Sequence, residues 1–268
     1  MSPKLVTIVG ATGQQGKAVI AAFADNPSYH IRGLTRNPES PAAKIMSSQG
    51  VEVVKADIGD PITLKAAFAG SHIIFAVIDF WGEYEKHGPE KAKEIERQQG
   101  INMAKAASET FALEHFIWST LPNGTKELPV PHFEGKHGVD DFIKADAALL
   151  AKTTFLMVWF YANNLQLASF RPYWIDTIKK YVQFTTYGPE TPIPFIGDVS
   201  NITQFVKAIV EKPTETKNGG MVVGSVGSLT AKEWVDFWSK AKGVEVQLVK
   251  ISHQAYDALL SRRVCPHD

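Results

Sequence analysis

The sequence of 268 residues predicts an α/β fold: a doubly wound parallel sheet followed by a smaller α/β lobe toward the carboxyl end. Three observations predict it. The chain opens as strand, glycine-rich turn and helix; short β-branched runs then alternate with helical patterns as far as residue 119; beyond about residue 150 the alternation loses its regularity. The opening is the clearest. Leu5-Val6-Thr7-Ile8-Val9 is apolar and β-branched, glycines follow at 10, 13 and 16, and Ala18, Val19, Ala22 and Phe23 mark a helix that stops at Asn26-Pro27.

Further strands are predicted over 30–35, 51–55 and 73–78, the last almost continuously apolar, as a strand covered on both faces must be. Helices fall between them over 41–49 and 62–68. A long helix over 90–110, marked by Ile95, Ile101, Ala104 and Ala107, leads into a fifth strand over 115–119. Strands joined this way through helices pair in parallel, with right-handed crossovers. Beyond them, 131–148 reads as helix, 153–160 as a buried strand and 183–198 as a proline-rich stretch without period. Asp198 is placed to cap a helix carrying Ile202, Phe205, Val206 and Ile209, and Met221 to Val223 reads as a strand. Thr230 and Glu233 have the spacing of a capping box opening a helix with Trp234, Phe237 and Trp238, which Gly243 closes. A strand over 244–251 and a helix over 252–263 end the chain. With no repeat and no low-complexity linker, the domains are expected at 1–155 for the nucleotide-binding half and 156–268 for a lobe closing the substrate cleft, partly interleaved with the first.

Composition narrows the function. The 28 basic and 28 acidic residues cancel, and without a run of five like charges the chain lacks the electrostatic footprint of a nucleic-acid or anionic-membrane binder. The pairs Lys179-Lys180 and Arg262-Arg263 suit a solvated helix face. The longest strongly apolar run, 155–162, falls far short of the roughly 20 residues that span a bilayer. The start has no apolar stretch of the secretory kind, and the single cysteine, Cys265, allows neither an internal disulfide nor a Cys-x-x-Cys motif. These features predict a soluble protein of the reducing cytoplasm.

The glycines carry the chemistry. In Gly10-Ala11-Thr12-Gly13-Gln14-Gln15-Gly16 the first permits the sharp turn out of the strand, the second lets backbone approach a pyrophosphate, and the third lets helix and strand pack closely. The following helix turns the positive end of its dipole toward the phosphates. Twenty residues beyond Gly16 stands Arg36, where an acidic residue would bind a ribose 2′-hydroxyl and a cation accommodates a 2′-phosphate. The expected cofactor is therefore NADP(H), with Arg32 and Lys55 as reserve cations. Asp57 either meets the adenine amino group or caps a turn before Gly59.

These residues together resemble the NmrA-like family, atypical relatives of the short-chain dehydrogenases that include isoflavone-reductase-like enzymes. The resemblance is carried by residues 9–16, Thr35-Arg36-Asn37-Pro38, Val54-Lys55-Ala56-Asp57, Asp79-Phe80-Trp81 with the strand before it, Gln98-Gln99-Gly100-Ile101-Asn102 and His115-Phe116-Ile117-Trp118-Ser119. Pro131-His132-Phe133-Glu134-Gly135-Lys136 and Tyr161-Ala162-Asn163-Asn164 extend it. It implies a Rossmann domain holding NADP(H), a cleft against the carboxy-terminal lobe, and one of two activities. One is reduction of aromatic or polyketide-like secondary metabolites; the other is non-catalytic cofactor sensing that engages a protein partner.

The parent family's Tyr-x-x-x-Lys, in which lysine lowers the tyrosine pKa and holds the ribose, is absent. None of the seven tyrosines has a lysine four residues on, and His132 stands at the tyrosine position before Lys136. Lys136 shares a helical stripe with Val139 and Ile143, so it is either a catalytic or ribose-holding group or half of a structural ion pair. His132 is a candidate proton donor, and Ser119 or Thr120 occupies the place of the family's substrate-orienting hydroxyl. Phe80 and Trp81 are candidates for the wall of an aromatic substrate site, facing Tyr161 and Asn164. No metal motif, phosphate-binding Gly-x-x-x-x-Gly-Lys or nucleophile elbow occurs. The sequence therefore points to an NADPH-dependent reductase delivering hydride to a carbonyl or conjugated double bond. The cofactor-sensing regulator and a non-redox isomerase or cyclase are the alternatives.

Overall fold

A computed structural model describes residues 2–122, 124, 130–167 and 170–264. Cys265 lies outside them, so the reading made of it stays with the sequence. In chain order the first half runs β1 (Lys4–Ile8), α1 (Gln14–Phe23), β2 (Tyr29–Thr35), α2 (Pro41–Ser48), β3 (Glu52–Lys55), α3 (Pro61–Phe68) and β4 (Ile73–Ala76). It continues with α4 (Trp81–His87), α5 (Pro89–Ser108), β5 (His115–Thr120), α6 (Pro131–Ala145), α7 (Ala147–Leu150) and β6 (Thr153–Val158). The second half runs β7 (Phe160–Tyr161), β8 (Tyr173–Ile175), β9 (Lys180–Thr185), β10 (Pro192–Gly197), α8 (Ile202–Glu211) and α9 (Pro213–Thr216). After these come β11 (Gly220–Gly224), β12 (Gly227–Thr230), α10 (Ala231–Lys242), β13 (Val246–Lys250) and α11 (His253–Val264).

The helices start where the sequence supplies a cap. Ser40 and Asp60 accept from the first-turn amides of α2 and α3, each followed by a proline at the first helical position. Thr230 Oγ1 accepts from the Glu233 amide at 3.2 Å while Glu233 returns a carboxylate to the Thr230 amide at 2.7 Å, closing the capping box. Gly243 ends α10 in the left-handed conformation.

Four expectations are corrected. The helix over 131–148 stops at Ala145, because the Asp146 carboxylate turns to accept from the Ala148 and Leu149 amides and begins α7. The strand over 153–160 is two pieces, β6 and β7. The proline-rich stretch supplies β10 and, with the residues before it, β9. Pro192 and Pro194 are tolerated because there β10 pairs only with β12, while its pairing to β7 begins at Phe195. Helix α8 follows a 3-10 turn, Val199–Asn201, with Asn201 rather than Asp198 at its cap position.

The chain divides into two compact units, Met1–Val158 with Val199–Gly224, and Trp159–Asp198 with Ser225–Asp268. The first is a seven-stranded parallel sheet in the order β11-β6-β5-β4-β1-β2-β3, the Rossmann arrangement with β11 added at one edge. Phe68, Met103, Phe116, Trp118, Val139, Ile143 and Phe155 pack beneath α3, α5 and α6 on one face. Helices α1 and α8 pack together, and the Thr203 hydroxyl donates to the Ala18 carbonyl at 2.8 Å. The second unit contains two three-stranded sheets, β12-β10-β7 and β13-β9-β8.

Candidate functional site

The order of the sheet reverses beside β1, whose neighbours β4 and β2 lead in opposite directions, so the loop after β1 opens at the switch point where α/β sheets bind ligands. Gly10 turns that loop with φ +68°, and its carbonyl accepts from the Gly13 amide at 2.9 Å. Gly13 caps α1 without any side-chain hydrogen bond, and the first turn carries no acidic residue. A Cβ on Gly16 would lie 2.2 Å from the Gly10 carbonyl oxygen, whereas one on Gly13 would meet only that oxygen, at 3.2 Å. The third glycine therefore permits loop and helix to close on each other, and the second leaves an open backbone surface. Gly13 and Gln14 are exposed, Thr12 and Gln15 half-buried. Uncapped amides at a helix N-terminus beside bare backbone fit a pyrophosphate.

Arg36 emerges exposed at the end of β2 and has no ion-pair or hydrogen-bond partner among the described residues, which leaves it open to a phosphate. Arg32 is not available. Its guanidinium donates to the Ala67 and Ala69 carbonyls at 2.9 and 3.0 Å and pairs with Glu52 at 3.2 Å, tying β2 to the end of α3. Asp57 takes the turn-capping role, with Oδ1 accepting from the Gly59 amide at 2.8 Å.

Strand alternation at the end of β5 sorts the hydroxyls. Ser119 donates to Gln15 Oε1 at 2.8 Å and so ties the strand to the glycine-loop helix. Trp118 and Thr120 point the opposite way, toward α6: Trp118 Nε1 donates to Asp140 Oδ1 at 2.7 Å and Thr120 Oγ1 lies 3.0 Å from both Asp140 oxygens. Thr120 is fully buried, and its hydroxyl donates to that carboxylate. Burial pushes the Asp140 carboxyl up, while the bonds from Trp118 and Thr120 pull it back.

Lys136 is 6% exposed. Its Nζ lies 3.3 Å from Oε1 of Glu96 on α5 and 5.1 Å from the centroid of the Trp118 ring. Close packing of α5 on α6 makes this contact possible: a Cβ on Gly135 would stand 2.5 Å from Glu96 Oε2, and one on Gly100 would stand 2.3 Å from Val139. Burial pushes the Glu96 carboxyl up, Lys136 opposes that, and Asp79 adds to it. Neither Glu96 oxygen nor Lys136 Nζ has an aligned hydrogen-bond partner. The two charges touch, yet ammonium protons remain unused, as a lysine holding ribose hydroxyls requires. Glu96 was missed in the sequence because nothing in the run Glu94-Ile95-Glu96 distinguishes the buried carboxylate from the exposed one.

His132 opens α6 and packs into an aromatic group, its ring centroid 4.5 Å from Phe133, 5.2 Å from Trp81 and 5.6 Å from Phe80. Its nitrogens have no hydrogen-bond partner among the described residues. Burial and then the Lys136 charge hold its pKa below the usual histidine value, so the ring is neutral near pH 7. Trp81, at the start of α4, is exposed, whereas Phe80 is buried beneath it, edge-on at 5.4 Å. Trp81 and His132 thus present a surface that Phe80 supports from below. Tyr161, paired with Gly197, and Asn164, in the 3-10 segment Ala162–Gln166, both belong to the second unit and are half-buried. Among the described residues no cluster of His, Cys, Asp or Glu fits a metal ion, and no helix is long and apolar enough to cross a membrane.

Known proteins resemble this chain in sequence and in fold. An NmrA-like family domain-containing oxidoreductase of Aspergillus hancockii is 27% identical over 252 residues, 90% of this chain and 73% of its own length. A second, from a Cladobotryum species, is 25% identical over 241 residues, 82% of this chain and 68% of its own. Among solved structures, the negative transcriptional regulator NmrA in complex with NADP aligns with a TM-score of 0.74 at 18% identity, over 94% of this chain and 75% of that one. Citrobacter sp. triphenylmethane reductase complexed with NADP(H) aligns at 0.73 and 21% identity, over 98% and 84%. At such identities the structural likeness speaks for the fold alone. The sequence match to the NmrA-like family itself runs from residue 2 to residue 266, and the chain belongs to that family.

Proposed function

We propose that the protein is an NADPH-dependent oxidoreductase that passes hydride to a carbonyl or conjugated double bond of an aromatic or polyketide-like compound. The observation that carries this reading is Lys136: a buried ammonium with unused protons, set over Trp118 at the end of the strand whose next residue is bonded to the glycine-loop helix. The oxidoreductase relatives support it, as do the NADP(H)-bound reductases of the same fold.

Bound NADPH would supply the hydride. The N-terminus of α1, with the open backbone at Gly13 beside it, receives the pyrophosphate, and Arg36 holds the 2′-phosphate that separates NADPH from NADH. Lys136 holds ribose hydroxyls and favours negative charge developing on the substrate oxygen. Ser119 positions Gln15 at the start of α1. Neutral His132 offers an N–H to the substrate oxygen, and Trp81 stacks on the substrate ring.

Cofactor oxidation followed at 340 nm against a panel of aromatic ketones, enones and quinones tests the proposal. Turnover of at least one class with NADPH, and much slower turnover with NADH, is expected. No turnover of any compound, with equal affinity for NADP and NADPH, overturns the reading. That outcome would favour a cofactor-sensing regulator, for which the absent Tyr-x-x-x-Lys tyrosine and the likeness to NmrA are the support.

A further inference from the structure

The second unit contains a half-open pocket of about 240 Å³, and the residues lining it all belong to that unit. Phe160, Phe170, Trp234, Trp238, Ile193 and Leu248 stand in its wall, and among the described residues no Asp, Glu, Lys, Arg or His lines it. The rings brace one another edge-on: Phe160 stands 5.0 Å from Phe170 and 5.7 Å from Trp234, and Trp234 stands 5.1 Å from Phe195 behind it. Walls held in this way do not collapse readily into the space between them.

Two polar atoms on lining residues are unsatisfied. Gln183 is 7% exposed, its amide nitrogen donates to the Phe184 carbonyl, and its Oε1 has no partner. Trp234 is 8% exposed, and its indole N–H has no acceptor. Buried polar groups without partners are rare in folded proteins, and two on the lining of one apolar cavity point to an occupant that satisfies them. An empty void would forfeit the dispersion contacts of every ring around it.

Size and charge define the occupant. An apolar cavity of roughly 150 Å³ accommodates benzene, so this one has room for a fused pair of rings. A wall without counter-charge excludes an anion or cation, whose desolvation nothing would repay. We propose that the second unit binds a neutral fused-ring aromatic bearing a hydroxyl group, its rings among Phe160, Phe170, Trp234 and Trp238 and its hydroxyl meeting Gln183 Oε1 or the Trp234 indole N–H. This site needs no nucleotide and does not depend on the reductase reading.

The probe is 2-naphthol, titrated calorimetrically into the nucleotide-free full chain. Saturable one-to-one binding in the micromolar range is expected, at least about tenfold tighter than naphthalene-2-sulfonate. Gln183→Leu is expected to shrink the preference for 2-naphthol over naphthalene by roughly five- to tenfold, as loss of one hydrogen bond does. In a ¹H–¹⁵N spectrum of the wild type, the indole signals of Trp234 and Trp238 move while those of Trp81 and Trp118 stay in place. The proposal fails if binding does not saturate by about 1 mM, if the sulfonate binds equally well, or if Trp81 responds and Trp234 and Trp238 do not. Val235→Phe, which projects into the cavity, weakens binding. Should that variant misfold, the wild-type spectrum still decides. Turnover is scored separately: naphthol seated here with no reductase activity sinks the proposed function and leaves this site standing, and the converse holds.

Discussion

Lys136 and Glu96 are each nearly inaccessible to solvent and are each other's charge partner. Replacing Lys136 by Ala strands a carboxylate whose pKa burial already raises, and removing one member of a buried pair costs about 3–5 kcal/mol. Glu96→Gln strands the Lys136 ammonium in turn, but it keeps the side-chain shape and an amide oxygen that can accept from that ammonium, so the loss of melting temperature should be smaller. If Lys136 holds the ribose, K136A also loses affinity for NADPH and lowers kcat/KM by about 10²–10⁴-fold, whereas E96Q leaves NADPH affinity within a few-fold; fluorescence titration of both variants checks this. His115 gives a pH prediction independent of the site. It is buried against Thr154, and burial, with a smaller effect from Lys217, lowers its pKa from 6.5 to about 4. The unfolded chain therefore takes up the proton first, so this contribution to stability is complete above pH 6.5 and fades as pH falls toward 4. Between pH 7 and 5 the loss is about 2 kcal/mol, or roughly 4–8 °C in Tm. His115→Gln, which keeps a partner for Thr154, should show a shallower decline over the same range by calorimetry.

The glycine loop separates two roles that the sequence pattern presents together. Gly16→Ala drives a Cβ to 2.2 Å from the Gly10 carbonyl and 2.6 Å from the Ala11 Cα, both backbone, so β1 and α1 must part; a marked fall in Tm and loss of NADPH binding are expected. Gly13→Ala meets only one oxygen at 3.2 Å. It should fold with Tm within a few degrees of wild type yet bind NADPH at least tenfold more weakly, because the added methyl stands where the pyrophosphate approaches. A G13A protein with unchanged affinity would remove this loop from the phosphate site. The element pattern was largely legible, since capping residues, prolines and glycines act locally. Thr230 and Gly243 do what their positions in the sequence indicate, and Ser40 and Asp60 act by the same local rule at α2 and α3. Helix α4 was not legible: its seven residues have no apolar stripe, and it forms where Trp81 and Tyr84 pack their rings around Phe80.

Across the whole molecule the charges cancel, so recognition of an anionic cofactor rests on local groups. Saturating NADPH at about 100 times its Kd adds roughly 2.7 kcal/mol, or about 5–10 °C in Tm. NADH at the same concentration should give less, and Arg36→Ala should equalise the two by weakening NADPH about 10- to 100-fold. A thermal-shift series with both nucleotides reads this directly, and an unchanged preference in R36A would clear Arg36 of the role. The sequence by itself determined the parallel sheet, the glycine loop, the exposed cation after β2 and family membership, because strand and helix periods, turn glycines and caps are written in neighbouring residues. Only the tertiary structure decided that Glu96 meets Lys136, that Thr120 serves Asp140 while Ser119 serves the loop, that residues 199–224 return to the first unit, and that the second unit holds an aromatic-lined pocket. The physical reason is that a side chain's partner across a sheet face or between two helices lies tens of residues away, and nothing in its immediate neighbours records which face will be buried against which.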